Sequence, residues 1–213
     1  MFEIEYKGGN SVWVHGKDLS LVVDGNLASI GLKQPKMPKS AAQLATEKRF
    51  LIVDGAEEVL SLEGPGEYEV GPFSIRGIAA QRHIDTEFEA SASTLYRIEV
   101  GDVSIGIIGN IAAKLSDEQL EGLGVVDILI IPVGGGGYTL DSVDAAKITR
   151  NIEPKAVIPV HFATNGIDYE VPQESLDVFT KELGAPVETV SKYKLKNSTA
   201  LPAALTIYAL EVA

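Results

Sequence analysis

The chain has 213 residues, 45% hydrophobic and 23% charged, the balance of a folded globular protein long enough to bury a substantial core. Asp and Glu number 30 against 18 Lys and Arg, a formal net charge of -12, so an evenly charged surface repels nucleic-acid phosphates and anionic lipid. The lack of cysteine removes disulfides, thiolate zinc sites, iron–sulfur ligation and thiol nucleophiles together.

Met1-Phe2-Glu3-Ile4-Glu5 is acidic with no basic n-region, and the longest apolar stretches, 105–108 and 128–133, fall far below the about 20 residues of a membrane span. A cytoplasmic protein is expected.

Residues 2–6 and 11–15 alternate apolar and polar, and Gly16-Lys17 offers a glycine first in a type II′ hairpin before 19–23. After a Pro/Lys-rich connection at 34–39, residues 40–46 read as a short helix and 50–53 as an apolar strand closed by Asp54-Gly55. Strands at 59–62 and 68–70 flank Gly64-Pro65-Gly66, and 73–78 continues them. Residues 82–93 are polar, without periodicity, and read as a loop.

A second meander, 95–100 and 103–108, turns at Gly101-Asp102, again glycine first. Residues 18–26 (DLSLVVDGN) and 102–110 (DVSIGIIGN) share Asp, Ser, Gly and Asn in place, which reads as an internal repeat, although two hairpins of like turn type also resemble each other by chance. Ser116 and Gln119 form a capping box for a short helix ending at Gly122 or Gly124. Residues 125–133 and 156–160 are nearly continuous apolar runs of the kind buried on both faces. A helix over 141–152 is stopped before Pro154, and another starts at Pro172, carries Leu176, Phe179 and Leu183, and ends at Gly184. Residues 204–211 close the chain as a strand. Strands dominate early and strand–helix alternation late with no linker between, so both halves belong to one sandwich covered by helices, a single domain over 1–213.

The three histidines, His15, His83 and His161, are too far apart for a local His-x-His or His-x-x-x-His cluster. His15 alternates with Val12 and Val14 before a glycine and reads as a turn residue. Glu67 and Glu69 share a strand face and are either acid/base carboxylates or solvated glutamates. The glycines at 134–137, between a buried strand and a helix, either cradle a phosphate or make a tight turn, and no Lys-Ser/Thr follows as in a P-loop.

Three ordered segments, 64–70 (GPGEYEV), 126–139 (VDILIIPVGGGGYT) and 154–161 (PKAVIPVH), together resemble the metallo-β-lactamase superfamily, in its small lactonase-like or metal-dependent hydrolase-like branch. The resemblance implies an αββα sandwich of two mixed sheets built from two pseudo-symmetric halves, which the internal repeat fits. Active relatives hold two metals, usually zinc, that acidify a bridging water. The resemblance calls for a His-x-His-x-Asp-His motif just after a strand equivalent to 50–53, where this chain reads Asp54-Gly-Ala-Glu-Glu-Val-Leu60. The early Gly-His appears as Gly9-Asn10, the Asp-Pro as Asp24-Gly25, and the metal-bridging Gly-Asp as Gly109-Asn110. An amide is a poor ligand for a divalent cation. His161 matches the last metal ligand, and His83-Ile-Asp85 matches loosely the histidine upstream of Gly-Asp.

The remnant pocket expected is therefore Asn10, Asp24, Asp54, His83, Asn110 and His161, in a degenerate member of the fold that binds a ligand or assembles, with no cofactor. The partners this implies are a small molecule, another protein or a second copy of the chain. The alternative is a metal-dependent hydrolase of a phosphodiester, lactone or sugar phosphate, with one zinc or manganese ion on His83, His161 and a carboxylate from Asp24, Asp54 or Glu57.

Overall fold

The computed structural model describes residues 1–83 and 93–213. Most of the stretch read as a polar loop, and Asp85 with it, lies outside the described residues. In β1 (Phe2–Gly8) Phe2, Ile4 and Tyr6 are buried while Glu3, Glu5 and Lys7 turn to the other face, as the alternation requires. The antiparallel strands β2 (Ser11–His15) and β3 (Ser20–Val23) follow, with His15 opposite Ser20. That leaves four residues in the turn, and Gly16 does not take a left-handed φ, so the type II′ expectation is corrected. Glycine at 16 instead permits close approach: a Cβ there would lie 2.9 Å from the Phe73 Cζ.

Residues 40–46 are not a helix. They form β4 (Ala41–Ala45), parallel to β3 on one side and to β5 (Leu60–Glu63) on the other. Ala42 and Leu44 bury into the core, and two strand partners outweigh the helical preference of alanine and leucine. The run at 50–53 is correspondingly not a strand: a 3₁₀ turn covers Lys48–Phe50. The buried Gln43 satisfies the main chain of Ile52 on both sides, Nε2 donating to the carbonyl at 3.0 Å and Oε1 accepting from N–H at 2.9 Å. One glutamine side chain thus replaces a strand partner.

Gly64 and Pro65 carry the chain into the second sheet, whose antiparallel part is β6 (Gly66–Val70), β7 (Phe73–Ala80), β8 (Ser93–Val100) and β9 (Val103–Ile107). Val100 pairs with Val103 around a two-residue turn in which Gly101 has φ 63°, the conformation expected there. After α1 (Asp117–Leu123), with its capping box in place, come β10 (Ile128–Pro132), α2 (Ser142–Ile152) and β11 (Ala156–Val160). Strands β9, β10 and β11 are parallel, and β10 and β11 are buried at every position. Helix α3 (Leu176–Leu183) starts at the N-cap Ser175, four residues after Val171, rather than at Pro172. The main chain beside that proline is used elsewhere, Glu174 N–H donating to the Gly134 carbonyl at 2.7 Å. Two short strands not read from sequence, β12 (Val187–Val190) and β13 (Tyr193–Leu195), precede β14 (Thr206–Leu210).

The sheets run β13-β1-β2-β3-β4-β5 and β12-β14-β11-β10-β9-β8-β7-β6. Their apolar faces share one core, and the buried Tyr96 on β8 donates its hydroxyl to the Ala45 carbonyl of β4 at 2.9 Å. Helices α1 and α2 pack on β7, β8 and β10, while the outer face of the first sheet is closed by Trp13, Val22, Ile52 and Ala56. This is the αββα sandwich, with 3₁₀ turns and loop as its thinner outer layer. The repeated segments lie in different sheets and enter like pairings: β2–β3 antiparallel then β3–β4–β5 parallel, β8–β9 antiparallel then β9–β10–β11 parallel. Asp24 N–H donates to the Leu44 carbonyl as Ile108 N–H, its equivalent in the repeat, donates to that of Ile130. Among the described residues no helix is long and apolar enough to cross a membrane.

Candidate functional site

Parallel strands bring their carboxyl ends to one edge, the place where open α/β sheets bind ligands. Here Asp24 follows β3, Thr46 and Glu47 follow β4, Asn110 follows β9, Gly134 follows β10 and His161 follows β11. The sheets meet closely at this edge: a Cβ on Gly109 would lie 2.6 Å from that of Thr46. Since β4 is the strand that leads in, the stretch facing the expected histidine motif is residues 46–51 rather than 54–60. It reads Thr-Glu-Lys-Arg-Phe-Leu, again without imidazole.

Asp24 is buried, and its oxygens accept at 2.7 Å each from the Thr46 N–H and hydroxyl. Burial pushes its pKa up to about 7 against the pull of those bonds. Asn10 Nδ2 donates to Asn110 Oδ1 at 2.9 Å across the two sheets, and the Asn110 side chain also bonds Glu47. Glu47, whose side chain is 3% exposed, holds Arg49 through Nε at 2.9 Å and Nη2 at 3.3 Å, with Arg82 at 3.9 Å. Burial raises the Glu47 pKa while Arg49 and Arg82 oppose it.

The Arg49 guanidinium lies 4.8 Å from the ring centre of Phe50 and 5.1 Å from that of Tyr138. Tyr138 in turn stacks on His161 at 5.9 Å, and Tyr169 meets the same imidazole edge-on at 4.8 Å. His161 N–H donates to the Gly9 carbonyl at 2.8 Å, tying β11 to the turn after β1. Burial, reinforced by Arg49, lowers the His161 pKa to about 4, so the ring is neutral at pH 7. A side-chain hydrogen bond with Gln173 opposes that shift without cancelling it. Asp24 and His161 also hold left-handed backbone, φ 47° and 51°, which costs a non-glycine residue of order 1 kcal/mol or more and concentrates at functional sites.

Of the pocket read from sequence, Asn10, Asp24, Asn110 and His161 converge on this edge. Asp54 and Glu57 do not: both are exposed in the segment after the 3₁₀ turn, and Glu57 accepts from Gly55 N–H. Their expected place after a strand disappears because 50–53 is not one. His83 is half-buried, donating its N–H to the Asn110 carbonyl at 2.9 Å with Nδ1 at 3.3 Å from the Ile111 carbonyl. It flanks the edge through main chain. His15 Nδ1 lies 2.9 Å from the Ser20 hydroxyl. Glu67 pairs with Arg76 and Glu69 accepts from Ser74 on exposed β6. The glycines at 134–137 make a tight turn: 135, 136 and 137 are left-handed, and a Cβ on Gly134 would fall 2.2 Å from the His161 carbonyl. Sequence reasoning missed Thr46, Glu47, Arg49, Tyr169 and Gln173; the polar run at 46–49 becomes a signal once 41–45 is a strand.

A metal centre needs three or four donors free to converge. At this edge the Asp24 oxygens accept from Thr46, two amides face each other, Glu47 is held by a guanidinium, and Glu170 lines the cleft beside one imidazole. Among the described residues the only His, Asp and Glu trio with ligand atoms within 4.8 Å is Glu3, Glu5 and His15, outside this edge. There the Lys192 ammonium already lies 3.0 Å from each carboxylate. Among the described residues, those at the edge do not supply the three or four converging ligands of a metal centre.

The family model described as beta-lactamase superfamily domain matches residues 3–161. A UPF0173 protein of Pyrococcus abyssi is 29% identical over 115 residues, 54% of this chain and 50% of that one. A UPF0173 metal-dependent hydrolase of Carboxydothermus hydrogenoformans is 28% identical over 104 residues, 46% and 45% respectively. The chain thus aligns with about half the length of these curated relatives. Among solved structures, a Thermotoga maritima protein of the metallo-beta-lactamase superfamily superimposes with TM-score 0.75 at 18% identity, covering 99% of this chain and 100% of that one. Igni18, a metallo hydrolase from Ignicoccus hospitalis, does so with TM-score 0.66 at 15% identity over 92% and 99%. These similarities establish the fold.

Proposed function

The chain belongs to the beta-lactamase superfamily domain family, and on that premise we propose that it is a ligand-binding member without the family's hydrolytic metal chemistry. One observation carries the reading. In the stretch after β4, where the resemblance calls for an imidazole cluster, Glu47 clamps the Arg49 guanidinium instead. A guanidinium has no lone pair to offer a metal, and held there it also occupies the Glu47 carboxylate that could have ligated one. The neutral His161 lines a small cleft with Arg49, Tyr138, Tyr169 and Gln173, beside the buried Asn10–Asn110 pair. Metal content per chain after purification without added metal tests this, followed by readdition of zinc, manganese and magnesium with phosphodiester and lactone assays. Substoichiometric metal and no turnover are expected. About one tightly held ion per chain, lost in His161→Ala, overturns the reading.

A second reading, favoured by the names of the Carboxydothermus and Ignicoccus proteins, is a metal-dependent hydrolase with a single zinc or manganese ion. It requires Asp24 to leave Thr46 and His161 to meet a carboxylate free of Arg49. Metal-dependent turnover in the same assay supports it.

A further inference from the structure

Residues 163–174 run as a strap from β11 to α3 and carry Tyr169, Glu170 and Gln173 to the cleft. The strap is fastened on both sides of its tip: Ala163 N–H donates to the Glu174 carbonyl at 2.8 Å, and Asp168 N–H donates to the Ile30 carbonyl at 3.1 Å. The tip is the turn Thr164-Asn165-Gly166-Ile167, closed by one long hydrogen bond of 3.3 Å from Ile167 N–H to the Thr164 carbonyl, with Gly166 at φ 82°. Asn165 and Gly166 are exposed, and a Cβ on Gly166 would meet nothing within 4 Å. Among the described residues nothing accepts from the Gly166 N–H. Of the six asparagines in the chain, Asn165 alone precedes a glycine; the others precede Ser, Leu or Ile, whose side chains crowd the nitrogen that follows.

We propose that the Asn165-Gly166 turn is a site of spontaneous covalent modification, converting to isoaspartate with water as its co-reactant, and that conversion draws Tyr169 away from His161. The Gly166 nitrogen loses its proton and bonds to the Asn165 Cγ, the Cγ–Nδ2 bond breaks, and ammonia leaves a five-membered succinimide. Water then opens the ring. Cleavage between the nitrogen and Cγ gives aspartate, whereas cleavage between the nitrogen and the main-chain carbonyl carbon gives isoaspartate, whose chain runs through Cβ and Cγ. The isoaspartyl link lengthens the main chain by one carbon and adds a negative charge, and the fastenings at Ala163 and Asp168 confine that extra atom to the span between them. Thr164 lies in this span. Its hydroxyl donates to the Phe162 carbonyl at 3.1 Å and also bonds the Tyr169 side chain, and the Tyr169 ring meets His161 edge-on at 4.8 Å. The modification goes beyond the proposed function and holds whether or not the edge takes a metal.

The purified full chain is aged at pH 8 and at pH 5, sampled by ion exchange, and digested with trypsin, which places Asn165 as the only asparagine of the peptide 156–181. A form with one added negative charge should accumulate faster at pH 8, where the attacking nitrogen gives up its proton more readily, with the exchange of amide for acid located in that peptide and isoaspartate exceeding aspartate. Asn165→Gln, which cannot close a five-membered ring, should not form it. In the separated isoaspartyl form the Tyr169 and His161 ring resonances should shift from those of the fresh protein, whereas freshly made Asn165→Asp, with the charge but not the extra carbon, should keep them. No acidic form, or one that arises first at another asparagine, overturns the site. Unmoved Tyr169 and His161 rings in the isoaspartyl form, or an equal shift in Asn165→Asp, overturns the coupling to the cleft.

Discussion

Raising the pH from 5 to 8 should weaken the fold through Asp24. Its carboxylate is buried with two 2.7 Å hydrogen bonds from Thr46, yet burial prevails and lifts its pKa from 3.8 to about 7. Between those values the unfolded chain has released the proton while the folded one retains it, so the native state binds more protons and stability falls with rising pH, levelling above 7. The two pKa units between pH 5 and the folded value, at 1.36 kcal/mol each, set the loss across that range at about 3 kcal/mol. Glu47, also raised by burial, adds to it with the same sign. Asp24→Asn removes the ionisation while keeping an acceptor for the Thr46 N–H, and the threonine hydroxyl can turn to accept from the new amide. The variant should therefore match or exceed the wild type at pH 8 and fall below it at pH 5. Urea unfolding midpoints at pH 5, 6, 7 and 8 measure this. A wild type that gains stability across that range, or an Asp24→Asn deficit equal at both ends, refutes the reasoning.

Arg49→Gln alone should cost about 2–3 kcal/mol in urea unfolding because it strips the close partner from a buried carboxylate, and Glu47→Gln in the same chain should recover most of it. Gly134→Ala puts a Cβ 2.2 Å from the His161 carbonyl and 2.5 Å from the Gln173 Oε1, so a loss of about 2 kcal/mol or more and displaced His161 ring resonances are expected by calorimetry and NMR. Gly101→Ala meets nothing within 4 Å and costs only the left-handed backbone, about 1 kcal/mol, read as a lowered Tm.

Periodicity carried most of the fold. The alternation of 2–6 and 11–15, the continuous runs at 125–133 and 156–160 and the capping box at Ser116 each correspond to an element, because each signal reports directly on burial or on a local hydrogen bond. The misreading at 40–53 arose where tertiary contacts override local preference. Ala41–Ala45 is helix-prone in isolation and becomes a strand only between β3 and β5, while apolar 50–53 is excused from a sheet by the Gln43 amide. That one error displaced the expected motif by eight residues, from 46 to 54, and put Asp54 in the pocket, with Glu57 as an optional metal carboxylate, in place of Glu47 and Arg49. His161 and the two asparagines were legible through the family resemblance, which places its motif positions at the strand ends where these residues stand. Gln173 and Tyr169 were not, since a loop between β11 and α3 returns them to the site. The repeat at 18–26 and 102–110 gains support from its like pairings in two sheets, and superposition of the hairpins by a near two-fold rotation tests it.

Zinc titration by calorimetry, on wild-type protein and on His161→Ala side by side after exhaustive chelation, tests the metal-free reading most directly. Neither chain should give a tight single-site isotherm, because the Asp24 oxygens, the asparagine pair and the Glu47 carboxylate are already engaged and Arg49 has no lone pair to offer. A tight isotherm of about one ion per wild-type chain, absent in His161→Ala, contradicts it.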